Sequence, residues 1–171
     1  MVGGSNPPRP TNFFTACWLV VLVGCAAGAS LSPGVSTQAE VVAAMGEPAL
    51  RAKGSRGETL LWYPRFPYGR QSYAATISPD GRLVGIESRL TDPHIAKLKV
   101  NETRKEEVLE IIGPPYRASH FPRMQREIWD YPLPCLVSCF ILLAQFSPDG
   151  VLRELYQVLD PEMLSRGRPR W

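Results

Sequence analysis

Histidine is nearly absent from this sequence, which has only His94 and His120 among its 171 residues. A hydrolase of the common kind needs a nucleophile together with a base and a group that orients the base. Neither histidine lies in such a motif. The glycine-rich loop that cradles phosphates and the dinucleotide fingerprint are missing as well. We therefore expect a protein that is not an enzyme and uses no cofactor.

A long apolar segment is also missing. The apolar run at residues 13–23 is about half as long as a helix that spans a bilayer. It follows a polar start, rich in proline and glycine, whose one cation is Arg9. A short apolar run of this kind is typical of a secretory signal. We predict a signal peptide over residues 1–24 rather than a membrane-spanning anchor.

The signal ends in a cysteine. Residues 22–25, Leu-Val-Gly-Cys, resemble the lipobox of bacterial lipoproteins, in which the cysteine thiol receives a diacylglyceryl group. Two or more acyl chains make a stable membrane anchor. We therefore predict lipidation at Cys25, in preference to an unmodified cysteine in an ordinary signal, and a short tether over residues 25–33. Ala26 is not the acidic residue of an inner-membrane retention signal, so we expect the protein at the outer membrane, facing the periplasm.

Neither basic nor acidic residues are in large excess. The chain has 19 basic and 16 acidic residues, a formal net charge of +3, which gives no reason to expect a nucleic-acid partner. The last six residues, 166–171, carry three arginines and Trp171. A basic aromatic tail can touch anionic headgroups, but a solvated terminus is the favoured interpretation.

What the sequence does contain is an internal repeat. When residues 34–48 are laid over residues 101–115, the same residue types recur in the same order at a nearly constant shift, which indicates a tandem duplication. The matched pairs are Gly34 with Asn101, Ser36 with Thr103, Glu40 with Glu107, Val41 with Val108, Gly46 with Gly113, Pro48 with Pro115, Trp62 with Trp129 and Asp80-Gly81 with Asp149-Gly150.

Each half should begin with a helix of about three turns. Thr37 with Glu40, and Thr103 with Glu106, have the spacing of a capping box, in which hydroxyl and carboxylate each satisfy a free backbone N–H. Glycine followed two positions later by proline then ends the helix. A shorter helix, capped by Asp92 and running to about residue 99, should link the halves.

Three strands should follow each helix. We predict them at residues 59–63, 72–77 and 82–90 in the first unit, and at residues 127–131, 139–146 and 151–159 in the second, from their bulky apolar residues and alternation. Residues 49–58 and the region of His120 are interpreted as loops. The predicted fold class is α+β, a tandem repeat of a helix plus a three-stranded antiparallel meander, with helices on one face of the sheet. The units span residues 34–92 and, including the linking helix, 93–165.

These motifs resemble the SmpA/OmlA family, small lipoproteins that include a component of the bacterial outer-membrane β-barrel assembly machinery. The resemblance implies helices on one face of a three-stranded sheet and a scaffolding role beside other periplasmic lipoproteins. It also implies that the Gly-x-Thr loop contacts lipid and partners. The tandem form is similar to the β-lactamase inhibitor protein architecture, in which two units present a concave sheet. The residues that match the loop are Gly34, Val35 and Ser36 in the first unit, and Asn101, Glu102 and Thr103 in the second.

Cys135 and Cys139 leave three alternatives, a disulfide, a metal site or inert thiols. On one straight strand they would be roughly 13 Å apart, too far to bond, but a turn after two prolines can bring them together. The periplasm is oxidising, so we predict a small local disulfide and no metal site. Trp62 and Trp129, at equivalent strand positions, are interpreted as sheet-packing residues rather than partner contacts.

The sequence therefore predicts a non-catalytic outer-membrane lipoprotein that acts as a scaffold in envelope or β-barrel assembly. Its partners would be envelope proteins, including β-barrel assembly components, and the membrane through its lipid. The alternative is a periplasmic inhibitor-like or ligand-binding module that uses the concave sheet face. An exposed aromatic patch on the sheet face away from the helices would favour the alternative, and a covered or polar face would favour the scaffold.

Overall fold

The computed structural model describes residues 31–161, together with residues 1 and 3. Within that part of the chain the fold is α+β, with few helices and two four-stranded antiparallel sheets. No helix among these residues is long and apolar enough to cross a membrane.

The elements follow one another in two similar series. In the first unit, a helix precedes the sheet β1-β2-β3-β4; in the second, a helix precedes the sheet β5-β6-β7-β8, and neighbouring strands in each sheet are consecutive in the chain. The elements are α1 (Gln38–Met45), β1 (Leu50–Lys53), β2 (Thr59–Pro64), β3 (Ser72–Ile77), β4 (Leu83–Ser88), the linking helix α2 (Asp92–Ile95), α3 (Lys105–Ile111), β5 (Arg117–Phe121), β6 (Arg126–Pro132), β7 (Phe140–Phe146) and β8 (Leu152–Leu159).

The prediction of three strands in each unit was wrong by one strand. β1 pairs with β2 within residues predicted as a loop, and β5 pairs with β6 in the region assigned to a loop around His120. Both are edge strands that carry little buried apolar surface, because β1 is alternately half-buried and exposed and four of the five residues of β5 are exposed. They are held mainly by backbone pairing, which the side-chain pattern does not reveal.

The first predicted capping box is confirmed and the second is wrong. Glu40 Oε2 accepts from Thr37 N at 2.7 Å, and Thr37 Oγ1 accepts from Glu40 N at 3.3 Å. In the second unit the helix begins one residue later than predicted, so Glu107 rather than Glu106 accepts from the backbone of Arg104, at 2.7 Å. The hydroxyl of Thr103 accepts instead from the backbone of Lys99.

The linking helix α2 also begins and ends differently from the prediction. Its N-cap residue is Thr91 rather than Asp92, and the helix ends at Ile95, one turn short of the predicted end. Pro93 lies in the first turn, where its missing N–H costs no hydrogen bond.

The predicted equivalence of the two tryptophans is wrong by one position. Thr59 lies opposite Ile77 at the end of β3, and Glu127 lies opposite Phe146 at the matching end of β7. Counting along β2 and β6 from these pairs, Leu61 rather than Trp62 corresponds to Trp129. Because side chains alternate between the two faces of a sheet, Trp129 faces α3 whereas Trp62 faces away from α1.

Each helix packs its buried stripe on its own sheet. Val41 of α1 contacts the core formed by Leu61, Ala75 and Leu83 among others. On α3 the corresponding residue is Val108, which is fully buried, as is Ile112 just after the helix. They pack in a larger cluster that includes Trp129, Tyr131, Leu142, Ala144, Phe146 and Leu152, together with Leu90 and Leu98 of the linking segment.

The other face of the first sheet is also covered. Leu60, Trp62 and Ala74 alternate with the residues that face α1, and they form a buried cluster of their own. Trp62 lies against Gly113, which follows the end of α3 in the second unit, so that a methyl group added to Gly113 would be 2.5 Å from Trp62 Cζ3 and 3.0 Å from Cδ2. The second unit therefore packs on the first sheet opposite α1.

Arg70, in the β2–β3 connection, joins the units at another point. Its guanidinium donates to the carbonyls of Leu133 and Phe140, at 3.3 and 3.2 Å, and pairs with the buried carboxylate of Asp160. One cation of the first unit thus satisfies three acceptors of the second.

The Trp62 contact predicts different effects for two equivalent glycines. Gly46 and Gly113 both have a φ of +87°, but a methyl group at Gly46 would meet no atom within 4 Å. We expect Gly46→Ala to cost about 1 kcal/mol, since only the left-handed backbone is strained. Gly113→Ala adds overpacking against Trp62 and should cost about 3 kcal/mol in all.

The free energy of unfolding from urea titration measures this difference. Gly46→Ala is the matched control for backbone strain. Equal losses for both variants would show that Trp62 does not lie against Gly113.

Candidate functional site

The predicted lipidation site lies outside the described residues. Cys25 and most of the tether belong to residues 4–30, and the basic tail of residues 166–171 is likewise beyond the described range. Both remain predictions from the sequence.

The two predicted contact loops have the same backbone conformation. Gly34 has a φ of +76° and Asn101 a φ of +67°, both in the left-handed region. Asparagine is one of the residues that tolerate this region, so asparagine in the second loop, where the first has glycine, preserves the turn. In each loop this residue donates its N–H to the last hairpin of its unit, Gly34 to Leu83 O at 2.7 Å and Asn101 to Leu152 O at 2.8 Å.

The third residue of each loop is buried and serves the fold. Ser36 Oγ accepts from the backbone N–H of Ser32 at 3.0 Å, and Thr103 Oγ1 accepts from that of Lys99 at 2.8 Å. The carbonyls of Ser36 and Thr103 each accept from the N–H of the hairpin, at 2.8 Å in both units. The buried hydroxyls thus brace the start of the loop, while the backbone carbonyls tie it to its sheet, and these side chains are not available to a partner.

The middle residue of each loop is exposed. Val35 is 66% exposed and Glu102 is exposed as well. The two tips have different chemistry, one aliphatic and one anionic, so the loops cannot contact the same ligand group in the same way. Contact with lipid or partner at these loops remains a prediction.

The second sheet has a face that α3 does not cover. Its side chains alternate with those of the buried cluster, and its apolar side chains are half-buried or exposed. The apolar members of this outer face are Phe121, Ile128, Pro132, Ile141, Leu143, Tyr156 and Val158, and its polar members include Arg117, Asp130, Gln145 and Glu154.

Each strand of the outer face carries both apolar and polar side chains. Tyr156 is 40% exposed, and its hydroxyl accepts a hydrogen bond from Gln145 Nε2 at 2.7 Å. Arg117 holds Asp130 with two N–H groups, at 2.8 and 2.6 Å. Its two exposed aromatic side chains, Tyr156 on β8 and Phe121 on β5, lie on opposite edge strands, so this face is not an extended aromatic patch, and the corresponding face of the first sheet is covered by the second unit.

A cleft of about 240 Å³ lies where the two units meet. Arg70 and Arg117 contribute to its wall, but each is paired with a carboxylate, Asp160 and Asp130 respectively. The residues that line it include no serine, cysteine or histidine; they are Pro67, Gly69, Arg70, Tyr116, Arg117, Pro132, Ile141, Asp160 and Pro161. The ion pair between Arg70 and Asp160 links the two units at this cleft.

The histidines occupy unrelated settings. His94 Nδ1 is 2.9 Å from Thr91 Oγ1 in the short helix α2. Burial, and then the neighbouring Lys97 and Arg89, lower the pKa of His94 from its ordinary value. His120 lies on the edge strand β5, next to Glu127 in a shallow pocket. In the part of the chain that the structure describes, no group of three or more His, Cys, Asp or Glu residues could hold a metal ion.

A charged and aromatic network joins α3 to its sheet. Glu127 accepts from Lys105 Nζ and from Trp129 Nε1, both at 2.6 Å. The Lys105 ammonium also lies 5.9 Å from the ring centre of Trp129 and 5.6 Å from that of Phe146. The hydrogen bond from Lys105 holds the pKa of Glu127 below its usual value, although burial acts in the opposite direction, and the bond from Trp129 lowers it further.

The two cysteines of the β6–β7 connection are joined. The structure links Cys135 and Cys139 by a disulfide, with their Cα atoms 5.1 Å apart. The turn after Pro132 and Pro134 supplies the reversal that this short bridge requires. Between the cysteines, Leu136 and Val137 are almost fully exposed. The sequence pattern did not predict that these two residues would be exposed. The signal for it is their position between two bonded cysteines, because a loop this short has few neighbouring residues that could bury an aliphatic side chain.

Comparisons with known proteins add little. No family model matches the chain, and no curated protein matches it. Among solved structures, a DUF4309 family protein (YjgB) from Bacillus subtilis subsp. subtilis str. 168 is similar over 77% of this chain and 84% of its own, with 19% identity and a TM-score of 0.32. Similarity at this level carries no argument about function.

The Glu127 network predicts a pH-dependent loss of stability. Because the folded-state pKa of Glu127 is lowered, its contribution is present above the unfolded value and is lost as pH falls through the folded value. Glu127→Gln removes the charge that Lys105 contacts and should cost about 1 kcal/mol near neutral pH. The difference from the unchanged protein should shrink as pH falls below the ordinary glutamate value.

Urea unfolding followed by tryptophan fluorescence at several pH values measures this difference. Glu154→Gln, at an exposed carboxylate of β8, is the control and should have little effect. A loss for Glu127→Gln that is the same at all pH values would contradict the assignment.

Proposed function

We propose that this protein is a non-catalytic, lipid-anchored scaffold that acts in envelope or β-barrel assembly at the outer membrane. The observation that carries the proposal is the lipobox-like run at residues 22–25, which precedes a domain of two packed units. A lipidated Cys25 would hold that domain at the periplasmic face of the membrane, since only residues 26–30 separate it from the described chain.

The proposal includes a tandem duplication of an SmpA/OmlA-like unit. Equivalent backbone hydrogen bonds support it. Gln38 N donates to Gly81 O at 3.1 Å in the first unit, and Lys105 N to Gly150 O at 3.0 Å in the second. The bonds from the left-handed loop residues to their hairpins are a second such pair. In this interpretation the extra strands β1 and β5 are part of the duplicated unit, because each occupies the same edge of its sheet.

The covered face of the first sheet favours a scaffold over an inhibitor. An inhibitor of the tandem type would use one concave surface across both sheets, but the outward face of the first sheet is buried, with Trp62 packed against Gly113 of the second unit. A binding role for the outer face of the second sheet is the alternative, and the partly exposed Tyr156 favours it.

Replacement of Cys25 tests the anchor. We expect the full chain to fractionate with outer membranes and to incorporate labelled palmitate, and Cys25→Ser to abolish both. Cys17→Ser, within the same signal, is the matched control and should change neither. Equal palmitate incorporation in Cys25→Ser would contradict lipidation at this residue.

Affinity capture tests the scaffold. From solubilised membranes, the tagged full chain should bring down envelope proteins, and a deletion strain should have lower levels of outer-membrane barrels. Recovery of the bait alone together with unchanged barrel levels would argue against the scaffold. Capture of a soluble periplasmic protein that is lost in Tyr156→Ala would instead support the alternative.

A further inference from the structure

The three acceptors of Arg70 lie at the base of the loop that the disulfide closes. Two of them are the carbonyls of Leu133 and Phe140, which flank the loop and accept from Arg70 Nη1 at 3.3 and 3.2 Å. The third is the carboxylate of Asp160, whose backbone N–H donates to Cys139 O at 2.9 Å. The contact between Arg70 and these acceptors, which joins the first unit to the second, is therefore built on the two ends of this loop.

The disulfide is the main restraint on the loop. Within the described chain, residues 134–138 make no hydrogen bond, and four of the five are exposed. One backbone bond, from Leu133 N to Phe140 O at 2.9 Å, joins the two ends. A cavity of about 350 Å³ borders the loop at both of these residues, so the ends have space to move. Their positions consequently depend on the covalent bond between the cysteines.

The Arg70 contact is sensitive to the positions of its acceptors. The side chain of Arg70 is 21% exposed and that of Asp160 is 5% exposed, so little water can replace a lost partner. A buried charge that loses its partners is strongly destabilising, and a guanidinium has five N–H donors to satisfy. Displacement of the two loop carbonyls would therefore weaken the attachment of one unit to the other.

We propose that the disulfide between Cys135 and Cys139 controls, through its redox state, how firmly the two units are packed. The closed disulfide holds the acceptors of Arg70 in place. When a protein dithiol reduces it, the ends of the loop move and the Arg70 contact opens more readily. This control does not depend on the lipid anchor or on a role in envelope assembly, because its parts all lie in the described domain.

The reduction is a thiol–disulfide exchange. Cys135 is half-buried and Cys139 is only 6% exposed, so the dithiol attacks through a thiolate at Cys135 Sγ, and Cys139 Sγ leaves. The second sulfur of the dithiol then attacks the first, which breaks the mixed disulfide and releases Cys135. The dithiol loses two electrons and two protons and ends as a disulfide, and the two cysteines gain them and end as thiols.

Hydrogen–deuterium exchange of the full chain, with and without dithiothreitol, tests the proposal. The N–H groups of Arg65 and Gly69 donate to Gln71 O and Arg65 O at 2.9 and 2.8 Å, and they report on the connection that carries Arg70. We expect reduction to speed exchange in residues 65–72 at least about twofold, the lower end of coupling between contacting residues. Exchange in α1, on the far side of the first sheet, should not change.

Three results would overturn the proposal. Faster exchange confined to residues 133–140 would show that the effect stops at the loop. Faster exchange throughout the chain, α1 included, would show general unfolding instead of a looser contact between units. Unchanged exchange in protein that mass analysis shows to be reduced would show that the disulfide has no effect on packing.

Two arginine variants test the path through Arg70. Arg70→Met removes the contact, so residues 65–72 should already exchange faster in the oxidised protein, and dithiothreitol should add no further increase. Arg51→Met breaks an exposed ion pair with Glu47 in the same unit, and this matched control should keep the full response to reduction. A response in Arg70→Met as large as in the unchanged chain would contradict the role of Arg70.

A cysteine variant tests which thiols respond. The double variant Cys135→Ser, Cys139→Ser should exchange like the reduced protein and should not respond to dithiothreitol. Because Cys17 and Cys25 remain in this variant, a continued response to dithiothreitol would assign the effect to them and overturn the proposal.

Discussion

The contact between Trp62 and Gly113 determines how the two units are arranged. The fully buried indole of the first sheet needs a flat apolar neighbour, and the end of α3 supplies one because Gly113 has no side chain. Gly113 is fixed in turn by the helix behind it and by the hydroxyl of buried Tyr131, which donates to its carbonyl at 3.0 Å. Burial raises the pKa of Tyr131 well above its ordinary value, which favours the protonated hydroxyl that donates this bond. The second unit thus covers the sheet face that would otherwise be open.

The four-stranded sheets of the two units are therefore covered differently. In the first unit, both sheet faces are covered, one by α1 and the other by the second unit. In the second unit, α3 covers one face and the outer face remains partly exposed around Tyr156. The asymmetry arises from packing and not from the local turns, which are nearly identical in the two units. The first sheet thus contributes both of its faces to the packed interior, whereas the second sheet leaves one face in partial contact with solvent.

The strands with bulky apolar residues were predictable from the sequence, and the others were not. β1 and β5 have few buried side chains and are held by backbone pairing that no residue pattern reports. The capping box predicted at Thr103 was wrong because its hydroxyl has another local backbone partner. It accepts from the N–H of Lys99 rather than from that of Glu106, and the sequence spacing cannot decide between these two donors. The repeat itself pointed to Glu107, the match of Glu40. Trp62 was correctly assigned to sheet packing, but a constant shift could not show that it faces away from its own helix, since one residue of slip reverses the face. Its contact with Gly113 likewise depends on how distant segments meet.

The packing of the first sheet on the end of α3, through Trp62 and Gly113, is tested most directly by the NMR spectrum of Gly113. If the indole lies against this residue, the Gly113 α-protons will show nuclear Overhauser contacts to the Trp62 ring and a chemical shift displaced by its ring current, and both will disappear in Trp62→Leu. Ordinary glycine shifts with no contact to the Trp62 ring in the folded protein would contradict this packing.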